Sequence, residues 1–113
     1  MFSEATLNLI TAKVVQAAKE SLGDKLDRVI LYGSYARGDY VDESDIDIMV
    51  LADIPLEDRG REREKIRSIL GYIDTDNDVV LCLNVTDCGT FNMYNEDLPF
   101  YVNVLKEGVV LSA

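Results

Sequence analysis

Apolar positions along the chain follow two periods. Leu7, Ile10, Val14 and Ala18 recur at helical spacing, Ser3 is placed to cap that helix, and Gly23-Asp24 ends it after about Leu22. Three later runs read as strands: about Arg28–Tyr32, Ile46–Ala52, and Asp78–Val85. The third is almost continuously apolar, as suits a central strand covered on both faces. Between the second and third, Pro55 opens a second long helix carrying Ile66, Ile69 and Leu70, with Gly60 weakening its start and Gly71 marking its end. The stretch 74–77 reads as a loop, and 86–95 as irregular or a short helix. Asp97-Leu98-Pro99 starts a last helix, Phe100 to about Lys106, closed by Gly108, and Val109-Val110-Leu111 forms a short closing strand. This order predicts an α/β (α+β) domain in which helices pack on a small mixed sheet. Without repeats or linkers, 1–113 reads as one domain.

Composition narrows the picture. A chain of 113 residues buries roughly two-thirds of its unfolded surface. Its net charge is −10, from 21 acids against 11 bases, which disfavours direct binding of a polynucleotide. The run Arg59-Gly60-Arg61-Glu62-Arg63-Glu64-Lys65 reads as a solvated, salt-bridged helix face. With no histidine, the commonest general base and zinc ligand is missing. Cys82, inside an apolar run, reads as a buried core thiol and Cys88 as a loop residue; two such cysteines build neither a disulfide framework nor a zinc site. No apolar run reaches membrane-spanning length and no signal pattern opens the chain, so the expectation is a soluble, cytoplasmic protein.

The chemistry concentrates between the first two strands, in Gly33-Ser34-Tyr35-Ala36-Arg37-Gly38, then Ser44-Asp45-Ile46-Asp47. Asp45 and Asp47 are two residues apart, so on an extended chain they leave one face, roughly 6–7 Å apart at the backbone. Their repulsion calls for a hard cation, and magnesium is content with one or two carboxylates plus substrate phosphates. Gly33 and Ser34 follow a strand directly and open one helical turn, a place where backbone N–H groups attract phosphate, and Arg37 adds a fixed positive charge. Each feature alone is an ordinary turn, loop end or surface residue. Together, and in this order, they point to phosphoryl or nucleotidyl transfer.

Gly-Ser-x-Ala-Arg-Gly followed by Ser-Asp-x-Asp resembles the signature of the polymerase-beta-type nucleotidyltransferase superfamily, and more narrowly the minimal nucleotidyltransferases. The resemblance implies attack on the α-phosphate of a nucleoside triphosphate, ATP, with pyrophosphate leaving. Two magnesium ions roughly 3.5–4 Å apart would clamp the reacting oxygens. Asp45 and Asp47 would hold both, Gly33, Ser34 and Arg37 the phosphates. A third carboxylate on the neighbouring strand would complete the metal site and serve as base. Asp78 is assigned that role, ahead of Asp74 and Asp76. Tyr35 and Tyr40 would stack on a base or, more commonly, pack. No acceptor-binding domain is evident, so the acceptor would come from a partner chain or a second copy. In the minimal group the partner is a helical toxin of the HEPN class, the nucleotidyltransferase its antitoxin, with AMP transferred to the partner. The alternatives are an antitoxin acting by contact alone, or a small-molecule enzyme of the aminoglycoside-modifying kind.

Overall fold

The computed structural model describes residues 3–41 and 44–112, so Asp42 and Glu43 of the motif loop lie outside the described residues. The elements run α1 (Glu4–Leu22), β1 (Leu26–Tyr32), α2 (Ser34–Arg37), β2 (Ile46–Ala52), α3 (Arg59–Leu70), α4 (Ile73–Asp76), β3 (Leu81–Asp87), α5 (Cys88–Tyr94), α6 (Pro99–Glu107) and β4 (Val109–Ser112). Ser3 caps α1 as expected, its hydroxyl accepting from the Thr6 N–H, an interaction that typically stabilises a helix by about 1 kcal/mol. Pro99 opens α6 at a position where its missing N–H is no loss.

The sheet has the order β3-β2-β1-β4, with β1 antiparallel to β2 and β4, and β3 parallel to β2. It is therefore mixed. One face packs Val29, Leu31, Ile48, Val50, Leu81, Leu83 and Val85 against α1 and α3 in the larger core. The opposite face is covered only in part, where Ile30, Met49 and Leu51 meet Phe91 of α5 and Val104 of α6. The rest of that face stays open and carries the polar motif.

Five expectations are corrected. The 74–77 stretch is a helical turn, α4, held by the Asp74 carboxylate, which accepts from both Arg67 Nη atoms (3.0 and 3.3 Å) and from the Leu81 N–H (2.8 Å). That last bond ends the turn and starts β3 at Leu81, three residues later than the apolar run suggested. The strand is also an edge strand, its outer carbonyl at Leu83 taken by Arg63 Nε, and β2 is the buried centre. After Pro55 comes a 3₁₀ turn, Leu56–Asp58, and the regular helix begins only at Arg59. Along α3 the charged run forms ion pairs as expected, Arg61 with Asp58 and Lys65 with Glu62. Glu62, however, is buried against α1, where Ser21 Oγ donates to it at 3.3 Å.

Candidate active site

β1 ends at Tyr32 and turns sharply at Gly33, whose φ of 74° suits glycine best. A β-carbon at Gly33 would also collide with the Asp47 carboxylate, so the turn and the acid share one space that only glycine leaves open. The N–H groups of Ala36 and Arg37 both close on the Gly33 carbonyl at 3.1 Å, forming the single turn of α2.

β-Register then builds a row across the open face. Tyr32 pairs with Asp47, and Asp47 with Cys82. The next row is Ile30, Met49, Asn84. Asp45 precedes the strand, is exposed, and accepts from the Cys82 thiol at 3.5 Å. Burial and then the nearby Asp45 charge raise the Asp47 carboxyl above the usual carboxylate range, against opposing help from Cys82 and Arg37. Tyr32 is pushed up to about 12, first by burial and next by Asp47, while its hydrogen bond with Asn84 works the other way. Phe100 of α6 meets Tyr32 edge-on, centroids 5.6 Å apart, and closes that side.

The expected residues are thus brought together unevenly. Gly33, Asp45 and Asp47 converge, with Ser34 opening the adjoining turn. Arg37 acts on Asp47 electrostatically, but its guanidinium is exposed and paired with Asp39 and Glu107, both at 3.2 Å. Tyr35 and Tyr40 stack on each other, centroids 4.3 Å apart and 14° between planes, which is the packing reading. Asp78 does not open β3: it sits in the preceding turn at φ 54°, exposed. Among the described residues no three histidine, cysteine or acidic side chains gather as a metal-holding group. The neighbouring strand instead offers Cys82 to Asp47. This thiol was expected in the core but faces the site, because the parity of β3 is set by its register with β2. Cys88, expected in a loop, opens α5 half-buried against the smaller core, and burial followed by Asp27 raises its thiol to about 11.

The donor set suits a hard cation: two carboxylates on one face, their repulsion registered at Asp47, with room left for substrate oxygens. A glycine-lined turn beside two acids at a strand start can hold phosphate groups against such a cation. The family model described as nucleotidyltransferase domain matches residues 12–111. The chain belongs to that family. Within it, the chain is 46% identical over 61 residues to a candidate protein adenylyltransferase, MJ0141, of Methanocaldococcus jannaschii, a stretch covering 53% of this chain and 59% of that protein. The match thus spans less than two-thirds of that relative's length. A candidate nucleotidyltransferase from Sulfolobus solfataricus superposes with a TM-score of 0.58 at 26% identity, over 95% of this chain and 82% of that one. A structure described as a toxin–antitoxin with AMP-PNP follows at 0.52 and 25%, over 89% and 71%.

Proposed function

We propose that this nucleotidyltransferase moves AMP from ATP to a hydroxyl of a partner protein, depends on magnesium, and serves as the antitoxin of a helical toxin of the HEPN class. The observation that carries the reading is the shared space of Gly33 and Asp47, in which the glycine turn lies directly against the acid. The similarity to a candidate protein adenylyltransferase and to a toxin–antitoxin with AMP-PNP supports the donor and the protein acceptor.

Asp45 and Asp47 would hold the cation, which when bound supplies charge neutralisation between the carboxylates and the phosphate oxygens. Gly33 and Ser34 would receive the β- and γ-phosphates. Arg37 would exchange its exposed partners Asp39 and Glu107 for them, an easy trade because solvent screens exposed ion pairs. The acceptor oxygen would form its bond to the α-phosphorus in line with the departing pyrophosphate. The thiol of Cys82, which faces the acid pair from the strand expected to open with the third carboxylate Asp78, favours a second reading: an antitoxin that silences its partner by contact alone. Incubation of the co-purified pair with ATP labelled at the α-phosphate, with and without magnesium, separates the two. Magnesium-dependent label on the partner is the expected result. A partner that is silenced yet unlabelled supports contact alone, and label on neither chain with an active partner overturns both.

A further inference from the structure

We infer that a cleft beside the acid pair binds an acidic stretch of the acceptor polypeptide, next to the hydroxyl that is modified. This rests on the transfer reading above and adds the chemistry of the acceptor. The cleft, about 650 Å³, is lined by Tyr32, Cys82 and Asn84 on the sheet and by Glu57, Arg59 and Arg63 at the start of α3. It begins at the thiol that donates to Asp45 and follows the outer edge of β3.

Direction comes from sheet order. The phosphate turn closes β1, on one side of the acids of β2, and β3 lies on the other. If pyrophosphate departs toward Gly33 and Ser34, an in-line acceptor enters from the β3 side, which is the cleft. Charge gives the chemistry. In a chain of 21 acids and 11 bases, this cleft holds two arginines against one glutamate. Both guanidinium groups are anchored through Nε to backbone carbonyls, Arg59 to Leu56 at 3.1 Å and Arg63 to Leu83 at 2.9 Å. Anchoring orients each fork, and each also has one acid partner. Among the described residues, the acid at their terminal nitrogens is the exposed Glu64, 3.7 Å from Arg63 Nη1, while Asp87 lies 3.8 Å from Arg59 Nε. Forks held this way match carboxylates. A polyanion such as RNA would be strongly repelled by the net charge of −10, whereas a short peptide with a few acids is repelled far less. Arg63 is anchored one residue beyond Cys82, and Arg59 lies near Asp87, five beyond. At about 3.3 Å per residue, an extended acceptor would carry its acids one to five residues from the hydroxyl.

The test uses the full chain and two dye-labelled peptides, each with one tyrosine followed by five glutamates or five glutamines. Fluorescence anisotropy without nucleotide should show the glutamate peptide binding at least tenfold more tightly, with the advantage shrinking as salt rises. Arg59→Gln with Arg63→Gln should erase the difference. Glu57→Gln, which leaves the Arg63–Leu83 anchor intact, should widen it. Equal affinities, no binding of either peptide, or no effect of Glu57→Gln would overturn the inference. Because binding is read without ATP, a chain that binds the acidic peptide but transfers no AMP would refute the transfer reading while the cleft assignment stands.

Discussion

Asp47 stands in a position that ionisation makes unfavourable. Its folded carboxyl lies above the ordinary value, through burial first and Asp45 second. A raised carboxyl favours the fold at pH below its unfolded value, near 4, and that contribution is lost as pH rises through the folded value. At pH 7 the charged pair therefore opposes folding until a cation arrives. Asp45→Asn with Asp47→Asn should raise the Tm of the metal-free protein by about 2–4 °C at pH 7, once screening by solvent is allowed for. The stabilisation by magnesium with ATP should vanish in the same protein, which thermal melts at several ATP concentrations will read. Asp74 has the opposite sign. Burial would raise it, but two bonds from Arg67 and the Leu81 N–H outweigh that and hold it below the usual range. Its contribution is present above the unfolded value, near 4, and disappears as pH falls through the lower folded one. Asp74→Asn should cost about 1–2 kcal/mol in urea unfolding at pH 7 and nothing near pH 2.

At the scale of elements, the β1–α2 turn is the one with least freedom. Gly33→Ala would place a methyl group at φ 74° and against Asp47, so we expect a loss of about 1–3 kcal/mol and weaker ATP binding together. Gly38→Ala, also at positive φ but with open space around it, should lower stability and leave ATP binding in place. Calorimetry with ATP and magnesium distinguishes them. This turn and β2 were legible in the sequence because their signals are local: glycine after an apolar run, then Asp-Ile-Asp opening a strand. The start of β3 was not. Val79 and Val80 are as apolar as Leu81, and a hydrogen bond from the Leu81 N–H to a carboxylate seven residues earlier decides between them. The same long-range register placed Cys82 toward the site, which an unbroken apolar run cannot encode because no alternation marks its faces. For that reason Asp78, expected to open β3, lies three residues ahead of it. Gly108 does end α6, but at φ −71°; a β-carbon there would strike Val104 and Ile30, so close packing is what requires glycine.

On the scale of the molecule, exposed apolar side chains recur on α6 and the edge strand β4. Met93, Phe100, Leu105, Val109 and Val110 are all exposed, spread over α5, α6 and the edge strand β4. More of α6 is apolar than its buried residue Val104 accounts for, and such a concentration marks a protein interface more often than bare surface. The cleft at β3 lies at the opposite edge, so a partner anchored on α6 and β4 would reach it across the face carrying Tyr32 and Asp47. A net charge of −10 would favour encounter with a basic partner, with an association rate that falls as salt rises. Leu105→Ser with Val109→Ser tests the anchor. Both side chains are exposed, so the isolated protein should change by no more than about 0.5 kcal/mol and keep its full stabilisation by ATP and magnesium. Titration calorimetry against the partner proposed above should show affinity reduced at least tenfold, mainly through faster dissociation. If affinity is unchanged while Arg59→Gln weakens the complex, the partner is held at the β3 cleft alone, and the apolar surface of α6 and β4 serves some other contact.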